Sequence, residues 1–141
     1  MTSRNTPDLS ERLKINTKIA RKMLTGFIRD EIYKTGMRRA VLGLSGGIDS
    51  AISAYLSAEA LGAENVLAVR MPYRTSSADS LADAEEVIEA LGIPSLTVPI
   101  TDMADPLIAQ FPDMSNTRKG NIMARLRMTV LYDQSAAWGG L

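Results

Sequence analysis

The sequence predicts an α/β fold, with a doubly wound parallel sheet that carries helices on both faces. One observation is that short apolar stretches alternate with longer segments in which apolar residues recur at helical spacing. Another is that residues 40–44 and 66–71 are almost continuously apolar, which is typical of parallel strands covered on both faces. Strands that alternate with helices are joined by crossover connections and form a parallel sheet.

Helix starts and stops follow from capping residues. The first helix is predicted to start at Asn16 and to stop at Gly36 and to cover the sheet. Its apolar residues recur at helical spacing: Ile19, Met23 and Phe27, with Leu24, Ile28 and Ile32. Later helices are predicted to end at Gly62 and Gly92, after strand 40–44 and strand 66–71 respectively. A short third strand is predicted at residues 95–99, and a long helix at residues 116–138.

Two further starts are predicted from a proline that follows a capping residue. Thr6 is expected to cap a turn that begins with Pro7, and Asp105 is expected to cap a short helix that begins with Pro106. The acidic residues of the helix that ends at Gly92 are interpreted as a solvated face, since no partner chemistry converges on them.

Composition narrows the chemistry. The 141 residues are one domain's worth of chain, and we treat residues 1–141 as a single domain. Sixteen basic and sixteen acidic residues give no net charge, which argues against a nucleic-acid partner. Cysteine and histidine are both absent, so chemistry must rest on carboxylates, hydroxyls, Lys, Arg and bound ions. No apolar run has the length of a membrane span, and a cytoplasmic protein is expected.

The most informative stretch joins the first strand to the next helix. It reads Gly43-Leu44-Ser45-Gly46-Gly47-Ile48-Asp49-Ser50. Glycines let the backbone turn sharply and approach a ligand, and successive N–H groups then form an anion nest at the positive end of a helix. Hydroxyls of Ser45 and Ser50 add donors. This pattern predicts a phosphate site.

Asp49 is a carboxylate among groups that favour a phosphate, and repulsion would follow unless a cation lies between. Mg²⁺ is commonly held by one or two carboxylates together with substrate phosphates. We therefore predict that Asp49 is a Mg²⁺ ligand in a nucleotide site. The competing interpretation is that Asp49 and Ser50 only cap the helix, which would leave Ser45-Gly46-Gly47 unexplained.

The helix at residues 116–138 places unlike residues on its different sides. Arg118, Asn121, Arg125 and Tyr132 fall on one side and Met123, Leu126 and Val130 on another. The polar side is suited to contact a nucleotide-like ligand, but an exposed cationic face or a subunit contact fits the spacing equally well.

Two resemblances connect these patterns. The loop resembles the SGGxDS pyrophosphate loop of the ATP pyrophosphatase superfamily, whose fold is the Rossmann-like adenine-nucleotide alpha-hydrolase type. Residues 119–132, which contain Lys-Gly-Asn-Ile-Met-Ala-Arg-Leu-Arg-Met and later Leu-Tyr, resemble the GNIxARxRMxxLY signature of NAD synthetases. Met71-Pro72-Tyr73 and Ile15-Asn16 are similar to that family too.

The resemblance implies a ligase that makes NAD from deamido-NAD, ATP and ammonia through an adenylate and releases AMP and pyrophosphate. It implies that residues 43–50 bind ATP, that Asp49 binds Mg²⁺, and that Arg125 and Tyr132 contact deamido-NAD, within a homodimer. It assigns no catalytic residue and does not decide between ammonia and glutamine as nitrogen source. Because family members continue further, the chain is expected to be an N-terminal part, with a sheet incomplete at its C-terminus. The alternatives are another enzyme with this loop, such as a GMP synthetase or a tRNA-modifying relative, and a non-catalytic nucleotide-binding fragment.

Overall fold

The computed structural model describes residues 14–141, so the turn predicted at Thr6 and Pro7 lies outside the described residues. Its strands form one parallel sheet, as predicted, and their order in the sheet is β1-β2-β3. The strands are β1 (Ala40–Gly43), β2 (Val66–Arg70) and β3 (Ser95–Thr97). The helices are α1 (Thr17–Lys34), α2 (Ile48–Leu61), α3 (Ala78–Leu91), α4 (Thr101–Ala109) and α5 (Asn116–Trp138).

Both faces of the sheet are covered, and β2 shows this directly because successive side chains of a strand point to opposite faces. Val66 and Ala68 pack with buried residues of α1, α2 and α3. Leu67 and Val69 pack with Ile100 at the start of α4 and with Val130 of α5. The central strand is therefore buried on both sides, and the doubly wound arrangement is confirmed.

Several helix ends match their predictions. Asn16 caps α1, since its side chain accepts a hydrogen bond from the Ile19 N–H at 3.1 Å. Gly36, Gly62 and Gly92 follow their helices with positive φ, a conformation that glycine adopts without a Cβ clash. The long helix spans the predicted residues 116–138 and begins after Ser115, whose hydroxyl accepts from the Arg118 N–H.

The cover that α1 provides is smaller than predicted. Ile32 is buried and Ile28 packs against the same core, but Ile19, Met23 and Phe27 are 57%, 69% and 62% exposed. Apolar residues lie on two sides of this helix, and only the side that meets α2 and the sheet reaches the core. We call the exposed row Ile19, Met23 and Phe27 the α1 stripe.

The predicted start of α4 at Asp105 and Pro106 was wrong. The helix begins at Thr101, after a fully buried Ile100 whose N–H donates to the Pro72 carbonyl at 2.9 Å. Pro106 therefore lies inside the helix. Tertiary packing of Ile100 and Ala104, both 0% exposed, outweighed the local capping signal. The Asp105 carboxylate bonds the segment after β2 and does not cap the helix.

The outer edge of β1 meets the end of the chain. Leu141 donates its N–H to the Arg39 carbonyl at 3.0 Å, and its carbonyl accepts from the Val41 N–H at 2.8 Å. A residue that bonds the neighbours on either side of Ala40 has the hydrogen-bond pattern of a parallel strand. After α5, the chain thus returns alongside the strand that leads into the glycine loop.

Candidate functional site

A cleft of about 380 Å³ lies at the carboxyl ends of β1 and β2. Ligands of open α/β sheets bind at this edge, and the predicted phosphate loop begins here, at the end of β1. The end of β1, the segment after β2, the first turn of α3 and the middle of α5 line it. The lining residues are Gly43, Leu44, Ser45, Arg70, Met71, Pro72, Ser76, Ser80, Leu81, Arg127 and Leu131.

Gly46 brings the loop against the first turn of α3. Its φ is +83°, and a Cβ at this position would overlap the Ser80 carbonyl oxygen and lie 2.8 Å from the carbonyl carbon. Gly47, in contrast, has a φ of −81° and room for a Cβ, whose nearest neighbour would be the Ser45 hydroxyl at 3.4 Å. Of the two adjacent glycines, Gly46 is the one required by backbone geometry.

Serine side chains hold the loop in shape. The Ser50 hydroxyl accepts from the Ser45 N–H at 3.2 Å and donates to the Gly47 carbonyl at 2.8 Å. The Ser45 hydroxyl accepts from the Gly47 N–H at 3.3 Å and lies 3.1 Å from the Ser50 hydroxyl. The two hydroxyls predicted as ligand donors are thus engaged with the loop itself, and they fix the backbone around them.

The same bonds leave a set of backbone donors free. Within the described part of the chain, no acceptor is recorded for the N–H groups of Gly46, Ile48, Asp49 and Ser50. Three of these belong to the first turn of α2, where the helix dipole contributes partial positive charge. A row of free donors at a helix N-terminus is suited to an anion such as phosphate.

Asp49 does not cap α2, contrary to the interpretation based on capping. The N-cap is Gly47, which has no side chain to accept a bond, and Asp49 lies in the first helical turn. Its side chain is exposed and forms no hydrogen bond or ion pair with the residues that the structure describes. The carboxylate is therefore available to a ligand, beside the free N–H groups.

The other residues of the predicted ATP loop have different surroundings. Leu44 is 3% exposed and belongs to the core, and its N–H donates to the Val69 carbonyl at 2.9 Å. It can meet a ligand only through its backbone. Gly43 ends β1 against the Met71 and Leu131 side chains, and Ile48 extends into solvent.

A second helix N-terminus borders the cleft. Ser77 caps α3 by accepting from the Ser80 N–H at 3.1 Å, and the two hydroxyls lie 2.8 Å apart. The Ser76 hydroxyl accepts from the Tyr73 N–H at 3.0 Å and closes the turn after β2. The positive ends of the α2 and α3 helix dipoles thus lie on either side of the place where Gly46 contacts the Ser80 carbonyl.

The segment after β2 is anchored to α4 by polar contacts. The Tyr73 hydroxyl donates to Asp105 Oδ1 at 2.7 Å, and Arg74 Nη1 lies 3.0 Å from Asp105 Oδ2. The bond to Asp105 raises the pKa of Tyr73 above its ordinary value of 10.0, and burial adds to it, while the positive charge of Arg74 opposes the shift. This cluster ties to α4 the segment after β2 that lines the cleft with Met71, Pro72 and Ser76.

Helix α5 has the two sides that were predicted, but its exposed side does not line the cleft. Arg118, Asn121, Arg125 and Tyr132 are all exposed, and Tyr132 is 73% exposed. On the opposite side Val130 is buried, Met123 packs against the core and Leu126 is half-buried. The structure therefore does not bring Arg125 and Tyr132 into the same cleft as the glycine loop.

Arg127 is the functional candidate that the sequence reasoning missed. It lines the cleft and donates from Nε to the Met71 carbonyl at 3.1 Å. Two residues along a helix correspond to roughly 200°, so Arg127 lies opposite Arg125, on the side assigned only to packing. A cation among the apolar residues of a packed face was the signal that could have found it.

Charged groups around the cleft are unequally paired. Arg70 is bonded to Glu85 of α3, so Glu85 is more than part of the solvated acidic face that was predicted.

Over residues 14–141 the structure contains no group of three or more side chains that could hold a metal by themselves. It also contains, over that range, no helix long and apolar enough to cross a membrane.

Comparisons with known proteins agree with this geometry. The family model for NAD synthase matches residues 20–141. The chain belongs to the NAD synthase family. It is 60% identical over 130 residues to the NH(3)-dependent NAD(+) synthetase of Trichlorobacter lovleyi. The matched region covers 92% of this chain and 48% of that protein. The chain thus spans about half the length of the curated relatives that it matches.

Solved structures place the same fold in this family. The NH3-dependent NAD synthetase of Campylobacter jejuni, in complex with nitrate, superposes with a TM-score of 0.84 at 35% identity, over 90% of this chain and 55% of that one. An NMN synthetase from Francisella tularensis superposes with a TM-score of 0.80 at 30% identity, over 89% of this chain and 52% of that one. The resemblance to NAD synthetases drawn from the sequence motifs is confirmed.

Proposed function

We propose that this chain provides the ATP-binding part of an enzyme that amidates deamido-NAD with ammonia. The overall reaction is deamido-NAD + ATP + ammonia → NAD + AMP + pyrophosphate. In the first step a carboxylate oxygen of deamido-NAD bonds to the α-phosphorus and the bond to the bridging oxygen of pyrophosphate breaks. Ammonia then displaces AMP from the acyl carbon and loses a proton. The substrates are water-soluble, and we assign the reaction to the cytoplasm.

The observation that carries this proposal is the free row of N–H groups at Gly46, Ile48, Asp49 and Ser50, beside a cleft at the strand ends. Fixed donors of this kind stabilise charge that develops on leaving pyrophosphate oxygens, and they need no reorganisation during the reaction. Residues 43–50 would hold ATP, with Ser45 and Ser50 keeping the loop in its donor geometry.

Asp49 would hold Mg²⁺ in this site. Its exposed carboxylate has no partner among the described residues, and Mg²⁺ is commonly bound by one or two carboxylates plus phosphate oxygens. The metal would neutralise charge on the phosphate chain when bound. The chain's own contribution is a single carboxylate next to helix-terminal N–H groups, which by themselves favour anions.

The nucleotide test is calorimetric titration of the chain with ATP, with and without Mg²⁺. We expect saturable binding that Mg²⁺ strengthens. Asp49→Asn keeps the shape of the side chain, and it should reduce the Mg²⁺-dependent gain while leaving metal-free binding nearly unchanged. Equal loss under both conditions would show that Asp49 acts on the loop and not on the metal.

Arg125 and Tyr132 would contact deamido-NAD on the exposed side of α5. Arg125→Ala should weaken deamido-NAD binding about tenfold or more, the usual effect of removing a hydrogen bond to a charged group, and should spare ATP. Arg118→Ala is a matched control, because Arg118 is another exposed arginine of α5. Its guanidinium lies over the Phe111 ring, 5.6 Å from the ring centre. Parallel loss of ATP and deamido-NAD in Arg125→Ala would point to a structural role.

A mononucleotide is the specific alternative to deamido-NAD as the acceptor substrate, because one solved relative is named an NMN synthetase. Titration with nicotinate mononucleotide beside deamido-NAD separates a mononucleotide from a dinucleotide acceptor. Xanthosine monophosphate and tRNA are the probes for the alternatives with a GMP synthetase or tRNA-modifying activity. Binding of ATP without any of these acceptors would favour the non-catalytic nucleotide module.

We also propose that the chain forms a homodimer through the α1 stripe. Three large apolar side chains at a spacing of four residues lie on one side of α1 and are more than half exposed. Exposed apolar surface of this kind marks interaction sites, and a second copy would cover it.

A further inference from the structure

Arg127 is an arginine whose charge has no counterpart in the cleft. It is half-buried, and its Nε donates to the Met71 carbonyl at 3.1 Å. Among residues 14–141, its terminal nitrogens Nη1 and Nη2 have no recorded hydrogen bond or ion pair. An arginine can donate five hydrogen bonds, so one bond to a carbonyl leaves most of its donors available.

The surroundings of Arg127 favour an anion. Among the residues that line the cleft, none is acidic, and the polar side chains are three serines and two arginines. The other arginine, Arg70, is neutralised by Glu85. A half-buried guanidinium without a carboxylate partner gains most from a ligand that brings negative charge, and its planar fork suits two phosphate oxygens.

The bond to Met71 fixes where this charge lies. Met71 is 8% exposed and directly follows β2, so its carbonyl belongs to a rigid part of the sheet. Holding Nε there orients the guanidinium plane before any ligand arrives. Pre-orientation of this kind lowers the entropy lost when a ligand binds.

Two anion-binding elements thus lie at this edge of the sheet. The free N–H groups of the glycine loop directly follow Ser45, which lines the cleft, and Arg127 lines the cleft from α5, as do Ser76 and Ser80 from the segment after β2 and from α3. A single phosphate needs only one of them, whereas a polyphosphate chain can occupy both. Since the loop is assigned to the pyrophosphate part of ATP, the phosphate nearest adenosine remains for the second element.

We propose that Arg127 binds the α-phosphoryl group of ATP, the group that is transferred to the substrate carboxylate as AMP. This rests on the proposed function. As the carboxylate oxygen bonds to the α-phosphorus and the electron pair of the breaking bond leaves with pyrophosphate, the remaining α-phosphoryl oxygens stay negatively charged. The terminal N–H groups of Arg127 donate to those oxygens in ATP and in the adenylate.

The test compares AMP, adenosine and pyrophosphate as separate probes, titrated calorimetrically into the chain and its variants. We expect Arg127→Gln to weaken AMP binding about tenfold or more, while adenosine and pyrophosphate change less than about twofold. Arg118→Gln, a matched change at an exposed arginine of α5 that does not line the cleft, should leave the ratio of AMP to adenosine affinity unchanged. Arg127→Lys keeps the charge without the planar fork, and should retain part of that ratio.

The readouts separate the ways in which the inference can fail. Equal weakening of AMP and adenosine by Arg127→Gln would mean that the residue only supports the Met71 segment, which overturns the inference. Unchanged AMP binding in that variant, with the unsubstituted chain binding AMP and pyrophosphate, would overturn it and leave the proposed function standing. Failure of the unsubstituted chain to bind either probe would contradict the proposed function itself. If Arg127→Gln does not fold, Arg127→Lys takes its place. A ratio of AMP to adenosine affinity equal to that of the unsubstituted chain would then refute the contact between the planar guanidinium and the α-phosphoryl oxygens.

Discussion

At the residue scale, the glycine loop depends on one position more than on its neighbour. Gly46 combines a positive φ with the contact to the Ser80 carbonyl, whereas Gly47 has neither constraint. A side chain at Gly46 would have to displace the backbone of α3, which no rotamer change can avoid. The two glycines look equivalent in the sequence, but only the first one joins the loop to a neighbouring helix.

We expect Gly46→Ala to lower the free energy of unfolding by about 2–4 kcal/mol, from left-handed backbone strain and steric overlap together. Gly47→Ala, at a φ of −81° with ordinary van der Waals space, is the control and should change it by less than about 1 kcal/mol. Urea unfolding of the two variants measures both values. Similar losses would show that the Ser80 contact does not restrict the loop.

Tyr73 is the second residue with a measurable consequence, because Asp105 raises its pKa. A tyrosine whose folded pKa is raised contributes stability that is fully present below the unfolded value, about 10, and is lost as pH rises through the folded value. Stability should therefore decline in this alkaline range. In Tyr73→Phe that part of the decline should disappear, as checked by urea midpoints between about pH 8 and 11. An identical alkaline decline in both proteins would exclude Tyr73 as its source.

At the element scale, α4 shows a local preference that packing has overridden. Its start is set by burial of Ile100 and Ala104, and this places Pro106 where the helix continues around it. Proline has no N–H to give the Asp102 carbonyl, and its ring crowds the preceding turn. The helix thus contains a destabilising residue in its interior, because the packing of its first turn sets a helix start that precedes the proline.

Pro106→Ala should raise the free energy of unfolding. An interior proline is unfavourable by about 3 kcal/mol relative to alanine, while a proline restricts the unfolded chain by only about 0.4–1 kcal/mol. The helix term is larger, so we expect a gain of about 2 kcal/mol, visible as a higher thermal midpoint. Ala109→Ser, at the last residue of α4, serves as a control for substitution in the same helix. A lower midpoint in Pro106→Ala would indicate that the proline shapes a contact that alanine cannot maintain.

At the scale of the whole molecule, the α1 stripe is an apolar surface that a second copy could cover. It lies on a helix that packs against the core by only a few residues, Ile28 and Ile32 among them.

Self-association through the α1 stripe is tested by sedimentation velocity over a range of concentrations. Phe27→Glu places a charge on the α1 stripe, and we expect this variant to be monomeric where the unsubstituted chain is dimeric. Lys22→Glu changes the charge of an exposed residue on the same helix outside the stripe, and should leave the dimer in place. A monomeric unsubstituted chain, or a dimer that survives Phe27→Glu, would exclude this interface.

The sequence by itself determined the fold class, the strands, most helix boundaries and the family. These depend on local patterns: continuous apolar strands, capping residues such as Asn16, and the motif at residues 43–50 and 119–132. Such signals depend only on residues that are close together in the sequence, because helix ends and glycine turns are set by backbone conformation over a few positions.

Only the tertiary structure decided which side chains share a cleft. Arg127 and Arg125 differ by two residues in the sequence, yet only Arg127 meets the strand ends, because α5 packs with that side against the sheet. The α1 stripe and the start of α4 were misjudged for the same reason, since burial depends on which elements come together. Contacts between residues far apart in the chain, such as Gly46 with Ser80 or Arg127 with Met71, arise from packing, and no local pattern encodes them.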